Sequence, residues 1–581
     1  LLNGVNEPLG NKLLNFIQNK TCSRFNIDEN LNIYDKTHNV FMYENLEEEL
    51  NFFYQSILEK TPRYPFVCIY GIGNALLIKN LAKHYKHLFV FESEIELFIL
   101  ALSTIDLSEE LKVYKVVLFD CVAKDLEIQI AMIFDQQSIL EYLSLYEMFI
   151  SSHYYLKYYE TSILSLNELC IKSASVAIRN VDITCFLPLL THGQFLQNIP
   201  SMLESIPFQR ILSQRKNKFD NAIVVSAGPS LAKQLPLLKA CQDKAVIFCA
   251  DGALSMLEKE GIVPDYVTNL DFTDLAMKFF QNKENKTSLN ILSCATHPNV
   301  AHSLKAENCM IVLRNKALYQ RFNFNDFGYI DTGTHVSHFS YTLALALGFK
   351  NIIMIGQDLA FDEEGNSHSK GFDFGEKFSG EENIDKLKIP AYAGKGEVLT
   401  HTTWNDYRIK LEYLFACNDQ KAKFYNATEG GARINFTEEL SFKECCEKLL
   451  TKEKPKFELP KSLTKNRSDK LLVKFKEKIQ KDQENAKRFL DDALALKQIL
   501  ENILSKDFIL PLEFLEKVYQ NIENFNHSLD EDEFIQDGIL KAAFAYRGKL
   551  ISDVLKLHIK DETHFITAYI KAYHEWLLYF I

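Results

Sequence analysis

No Cys-x-x-Cys pair occurs among the 12 cysteines, and the adjacent Cys445-Cys446 is poorly spaced for a disulfide or for half of a zinc site. Several cysteines lie inside apolar runs, as in Val67-Cys68-Ile69 and Phe248-Cys249-Ala250, where a free thiol packs as a small core residue. This usage speaks against a disulfide scaffold and for a reducing compartment. A long apolar run is also missing: none reaches the ~18 residues of a membrane span. There is no basic excess either. Lys and Arg number 65 against 77 Asp and Glu, a formal charge of −12, so nothing in the total attracts nucleic acid or anionic lipid. The visible start at Leu1 lacks the basic-then-apolar layout of a signal peptide, and a cytoplasmic protein is expected.

What is present is ordinary globular material. With 47% hydrophobic and 24% charged residues, the chain is neither disordered nor collagen- or mucin-like. Its 581 residues suit several domains at about 100–200 residues each. The expected fold is α/β. A central Rossmann-like, largely parallel sheet of GT-A-variant type would span 206–440, flanked by an N-terminal α/β domain (1–205) and a C-terminal helical domain (441–581).

In the first domain, Tyr64–Tyr70 reads as a buried strand, followed by Gly71-Ile72-Gly73, a helix from about Asn74 to Tyr85, and a strand ending at Glu92. Two readings stay open for this turn: a nucleotide site with Glu92 on a ribose, or a glycine turn that only packs a βαβ unit tightly. Residues 125–205 read as mostly helical. The last domain has no convincing strand and almost no glycine. Lys470–Leu496 and Ile535–Leu555 read as amphipathic helices, and the apolar end Trp576–Ile581 is suited to docking.

The central region carries the chemistry. Asn221–Ser226 is a short apolar strand, and Ala227-Gly228-Pro229-Ser230 turns it into a helix. Pro229 suits a first helical position, and free amides there with the helix dipole would favour a phosphate. No Gly-Lys-Ser/Thr follows, so this is not a P-loop. Further strands are expected at Ala245–Ala250, Tyr266–Leu270, Asn290–Ala295, Cys309–Leu313, Asn351–Ile355 and Lys423–Tyr425. Asp251, Asn269, Asp271 and Asp274 follow strand ends, where they would ring a ligand crevice or cap helices. The segment Phe361–Gly396 holds six of the 22 glycines and reads as a mobile lid or a surface loop. His401 sits between it and the next helix, placed for proton transfer or for capping.

The order of these motifs resembles the motility accessory factor (Maf) family of flagellin glycosyltransferases. The resemblance rests on Ala227-Gly228-Pro229-Ser230, on Gly356-Gln357-Asp358-Leu359-Ala360, and on Asn426-Ala427-Thr428-Glu429-Gly430-Gly431-Ala432-Arg433-Ile434. The same region is similar to the sialyltransferases of glycosyltransferase family 42, through Gly228–Leu231, Ala346-Leu347-Gly348-Phe349-Lys350 through Asp358, and a histidine before a helix that falls on His401. Three positions depart from those enzymes. Ala227 and Asp251 stand where they carry asparagine, and Ala360 where they carry tyrosine.

What the resemblance implies is transfer of a nonulosonic acid from a CMP-sugar to Ser or Thr of flagellin, in support of motility. The reaction would invert the anomeric centre and need no metal or other cofactor. His401 (as general base) and Asp358 would be catalytic. Ser226, Gly228, Ser230, Asp251, Asn269, Gly333 and Thr334 would hold the donor nucleotide. Asp271, His368, Glu429 and Arg433 would meet the substrate or belong to the lid. Oligomerisation is left open. Two other readings remain: an enzyme like the archaeal hydroxymethylpterin pyrophosphokinases, which share a related central domain, and a non-catalytic flagellin chaperone.

Overall fold

The computed structural model describes residues 6–19, 22–179, 181, 184–280, 288–378, 385–394, 396–506, 510–532, 535 and 539–581. The chain forms two compact units, one of Leu1–Cys185 with Lys487–Ile581, the other of Phe186–Ala486. Three consecutive domains were expected, so the division differs. Its physical reason lies in the first unit's core, where C-terminal helices complete what the N-terminal segment leaves open.

In the first unit a parallel sheet has the order β6-β5-β4-β7, with β4 Phe66–Tyr70, β5 His87–Glu92, β6 Val116–Asp120 and β7 Met148–Ile150. Three antiparallel strands precede it: β1 Phe25–Ile27, β2 Ile33–Asp35 and β3 Val40–Phe41. Every side chain of β4 is buried, as a continuous apolar run covered on both faces requires. The described residues of 125–205 are mostly helical, with β7 as the one strand among them. That strand is three residues long and was not legible, because its pairing with β4 is non-local. The helices Lys541–Leu555 and Glu562–Phe580 pack into the same apolar cluster as this sheet, with Trp576 and Tyr573 fully buried. Arg547 and Glu141, both buried, pair at 3.0 Å, and a Cβ on Gly548 would lie 2.3 Å from the Glu141 carbonyl oxygen. The expected helix 470–496 is longer, Lys465–Leu504, and part of the expected Ile535–Leu555 helix (536–538) lies outside the described residues. Among the described residues no helix is long and apolar enough to cross a membrane.

The second unit is built on a nine-stranded, all-parallel sheet. Its strands are β8 Asn221–Val225, β9 Val246–Ala250, β10 Tyr266–Asn269, β11 Leu289–Ser293, β12 Cys309–Arg314, β13 Tyr329–Ile330, β14 Asn351–Ile355, β17 Lys423–Asn426 and β18 Glu438–Glu439. Between β14 and β17 runs an antiparallel hairpin, β15 Lys386–Pro390 and β16 Glu397–His401. The sheet order is β13-β12-β11-β10-β9-β8-β14-β17-β18. The chain therefore winds outward from β8 in one direction, then returns to place β14 on the other side. That reversal opens a crevice at the carboxyl ends of β8 and β14, where open parallel sheets bind their ligands.

A candidate active site at the switch point

The motifs that leave β8, β14 and β17 interlock at this crevice. The N–H of Ser226 donates to Ile355 O (3.0 Å), and that of Gly228 to Gly356 O (2.9 Å). A Cβ on Gly228 would lie 2.2 Å from Asp358 Oδ2 and 2.5 Å from Gly356 O, so only glycine admits this approach. On the far side, the N–H of Ala432 donates to Asp358 O (2.7 Å), and a Cβ on Gly431 (φ +71) would lie 2.4 Å from Asp358 Cα. Three stretches far apart in sequence thus close around one buried carboxylate.

That carboxylate occupies the place expected for a phosphate. Asp358 accepts hydrogen bonds from the Ser230 N–H (3.2 Å to Oδ1) and the Ser230 hydroxyl (2.8 Å). The Leu231 N–H donates back to Gly228 O (3.0 Å), and the Ala232 N–H goes to Ser369 Oγ (3.1 Å). The expected free amides at Gly228–Ser230 are therefore a correction: they are paired inside the protein, because Gly228 lets Asp358 cap the helix. An anion reaches the Ser230 amide only if Asp358 moves, and the Gly228 amide stays bonded to Gly356 O.

Burial raises the Asp358 pKa from 3.8 to about 6, against the lowering pull of the Ser230 bonds. A folded pKa above the unfolded one means that the native state binds the proton more tightly. This adds stability that is full below about pH 4 and lost as the pH rises through about 6. Melting temperatures across pH 4–8 are expected to fall more steeply for the native protein than for Asp358→Asn. Equal slopes would contradict the raised value.

Beside Asp358 opens a cleft of about 250 Å³. Ser226, Ala227 and Gly228 line it from β8, Asp251 and Gly252 from β9, and Gln357 and Asp358 from β14. His335, Ser337, Trp404 and Tyr407 come from two helices, and His368 and Phe372 from the glycine-rich segment. No Lys or Arg is among the described lining residues. The Ser226 hydroxyl meets Ser337 Oγ and Gln357 Oε1, each at 2.9 Å.

Two histidines start the two helices in the same manner. His335 Nδ1 accepts the N–H of His338 (3.3 Å) ahead of the Val336–Ala346 helix. His401 Nδ1 accepts the N–H of Trp404 (3.4 Å) ahead of Thr402–Ala416. A neutral ring that accepts at Nδ1 carries its proton on Nε2. Both Nε2 atoms are buried without a hydrogen-bond partner among the described residues. Burial, helped by Lys386, lowers His401 to about 4, and burial with His338 and Lys410 holds His335 well below its ordinary value. Both are neutral at pH 7. His335 lines the cleft with its ring stacked 4.7 Å from Tyr407, whereas His401 stands behind Trp404 at 4.1 Å. His401 stays tied to the cleft through its neighbour Thr400, whose hydroxyl donates to Leu359 O (2.7 Å).

Of the expected site residues, Ser226, Gly228, Asp251, Asp358 and His368 line this cleft. Ser230 and Asn269 stand directly behind it, the first on Asp358, the second donating to the Asp251 carboxylate. His368 stacks on Phe372 at 3.9 Å, and burial lowers it to about 4. Gly333 takes φ +60 against the His338 ring, and Thr334 is exposed; neither is among the lining residues. Three expected substrate residues stand outside the lining of the cleft. Asp271 accepts from the N–H (2.8 Å) and hydroxyl (2.9 Å) of Thr273 in a local turn. Glu429 accepts from the Phe442 N–H (3.1 Å), at the start of a helix. Arg433 is exposed. The glycine-rich segment, expected as a lid or surface loop, is partly the β15–β16 hairpin and partly a wall of the cleft; its residues 379–384 and 395, Gly380 included, lie outside the described residues.

His335, Ser337, Trp404 and Tyr407 line the cleft although no role was assigned to them from the sequence. The shared pattern of a histidine three residues before the residue it caps, at 335/338 and 401/404, was the available signal.

The N-terminal glycine turn is of the tight-packing kind. Glu92 is fully buried and accepts from the Tyr155 hydroxyl (2.6 Å) and the N–H groups of Ile72 (3.1 Å), Ser93 (2.8 Å) and Glu94 (2.9 Å). A Cβ on Gly71 would lie 2.2 Å from the Tyr155 ring, and one on Gly73 2.3 Å from the Tyr43 hydroxyl. Protein side chains fill the space where a nucleotide would lie.

Residues 193–364 match the family described as 6-hydroxymethylpterin diphosphokinase MptE-like, a stretch that holds β8 to β14 and ends shortly after Asp358. No curated protein sequence matches the chain. Among solved structures the chain is similar to a MAf glycosyltransferase from Magnetospirillum magneticum AMB-1, at 16% identity and a TM-score of 0.49, over 99% of this chain and 95% of that one.

Proposed function

We propose that this protein is a glycosyltransferase of the motility accessory factor type. It moves a nonulosonic acid, of pseudaminic or legionaminic kind, from a CMP-sugar to a Ser or Thr hydroxyl of flagellin, in the cytoplasm and in support of motility. The observation that carries this reading is the convergence of three signature stretches on one buried carboxylate. Gly228 and Gly431 both press on Asp358, at the point where the parallel sheet reverses its winding.

In the proposed reaction the acceptor hydroxyl attacks the anomeric carbon, and the bond to the phosphate of CMP breaks with inversion. His401 takes the hydroxyl proton once Trp404, which lines the cleft in front of it, swings aside. To do so at Nε2 it moves its own proton to Nδ1 and gives up the long contact to the Trp404 N–H, at a cost of about 1 kcal/mol or less. The Nε2–H of His335 is a neutral donor for the departing phosphate, and the Ser337 hydroxyl becomes one by turning from Ser226, whose own hydroxyl donates to Gln357. A cleft with no Lys or Arg among its described lining residues suits a monophosphate leaving group better than a diphosphate. The transition state has oxocarbenium character, and Asp251 supplies a carboxylate on the cleft wall to balance it.

Flagellin incubated with this protein and CMP-nonulosonic acids is expected to gain the mass of one sugar per modified site, with CMP released, and equally so in EDTA. An unchanged flagellin mass with every such donor would overturn the reading. Loss of the gain in EDTA would overturn metal independence alone. The family match over 193–364 favours a second reading, a pterin diphosphokinase. Magnesium-dependent release of AMP from ATP in the presence of a hydroxymethylpterin would select it.

A further inference from the structure

Two thiols meet at the back of the cleft helix. Cys241 ends the Leu231–Cys241 helix, whose opposite end starts at the Gly228 turn. Cys446 lies on the Phe442–Leu449 helix. Their sulfurs are 3.6 Å apart, with the Cys446 thiol donating to Cys241. Cys241 is buried, Cys446 is half-buried, and both are free. The neighbouring Cys445 is fully buried in the apolar cluster on this face of the sheet. A disulfide has its sulfurs about 2.05 Å apart, so closing this pair takes a movement of roughly 1.5 Å.

We propose that Cys241 and Cys446 form a reversible disulfide, a redox latch that pins the helix bearing the Gly228 turn to the Phe442–Leu449 helix. The chemistry balances with a hydroperoxide as oxidant. The Cys241 thiolate attacks the O–O bond of hydrogen peroxide, keeps one oxygen as a sulfenic acid and releases water. The Cys446 sulfur then attacks the sulfenic sulfur, the S–S bond forms, and the hydroxyl leaves as a second water. Two thiols and one peroxide become one disulfide and two waters. A dithiol reductant reverses it by exchange. The hydrogen bond from Cys446 holds the Cys241 thiol below its ordinary pKa, which favours it as the first nucleophile. The latch ties together two elements of the proposed site. The helix of Cys241 carries the turn that Asp358 caps, and the helix of Cys446 has its first amide bonded to Glu429, next to Gly430 and Gly431.

The test uses the full chain with Cys417→Ser, which removes an exposed competing thiol. After hydrogen peroxide treatment, remaining thiols are alkylated and the digest is read by mass spectrometry. The expected product is a linked peptide pair containing Cys241 and Cys446, lighter by two hydrogens and separated by dithiothreitol. Backbone amide exchange is expected to slow over 231–241 and 442–449 in the oxidised form. Cys446→Ala and Cys241→Ser, checked for native circular dichroism, are each expected to lose both effects. Full alkylation of both thiols after peroxide, a link without slowed exchange, or sulfinic acid at either position would overturn the latch. None of these readouts depends on sugar transfer, so the latch and the glycosyltransferase reading stand or fall separately.

Discussion

His401→Asn is expected to lower the proposed transfer at least about 100-fold while leaving the fold and flagellin binding intact. Asparagine is as good a helix cap as any residue, so the bond to the Trp404 N–H survives and only the Nε2 position is lost. The variant therefore separates the chemistry of the ring from its capping role, which His401→Ala would remove together. The pH profile carries a second expectation. With burial and Lys386 lowering His401 to about 4, the ring is neutral throughout the usual working range. In Asp358→Asn, which removes the titration near 6, any remaining activity is expected to stay flat from pH 8 to about 5 and to fall as the pH drops through about 4, where the imidazole gains a proton and can no longer accept one. A decline centred near 6.5 that persists in Asp358→Asn would mean an ordinary solvated histidine. Flagellin glycosylated as well by His401→Asn as by the native protein would remove His401 from the reaction, as a chaperone or another base would require.

Gly228→Val is expected to abolish transfer and to lower the melting temperature by several degrees. The first added carbon falls 2.2 Å from Asp358 Oδ2 and 2.5 Å from the Gly356 carbonyl oxygen. The carboxylate could swing aside, but the carbonyl belongs to the β14 turn that receives the Gly228 N–H. Either the two turns separate or Asp358 leaves Ser230, and the helix end loses its cap in both cases. Overpacking of this kind costs typically 1–3 kcal/mol, and loss of the cap adds about 1 kcal/mol. Thermal unfolding and the flagellin mass assay read the two effects independently. A Gly228→Val protein with native stability and full transfer would show that the contact between the turns is dispensable. The Gly365→Ala variant is the comparison, since no atom of the described residues beyond its chain neighbours lies within 4 Å of its added carbon, although its φ of +78 carries a small strain of its own.

Most strands of the second unit were legible because each holds a short, largely apolar run between polar turns, as in Ala222–Val225 and Ile352–Ile355. Fully buried parallel strands leave that trace in any sequence. The two-residue edges β13 and β18 leave none, since their pairing is decided by neighbours distant in the chain. The β15–β16 hairpin was obscured by the glycines around it, although Lys386-Leu387-Lys388-Ile389 alternates as a strand should. At the site, Gly228, Ser230, Asp358 and His401 stood out by their place at strand ends and helix starts. Glu429 and Arg433 stood out equally and turned outward, because a motif names the residues of a turn but not which way each side chain faces.

Local sequence alone determined the α/β alternation, the central parallel sheet and the helix-capping histidines, since apolar runs and caps act through neighbours a few residues apart. Tertiary structure decided that Asp358 fills the helix end meant for an anion, that Tyr43 and Tyr155 plug the first glycine turn, and that the last helices complete the first unit's core. Each of those depends on which surfaces meet across hundreds of residues, and packing sets that only once the whole chain has closed.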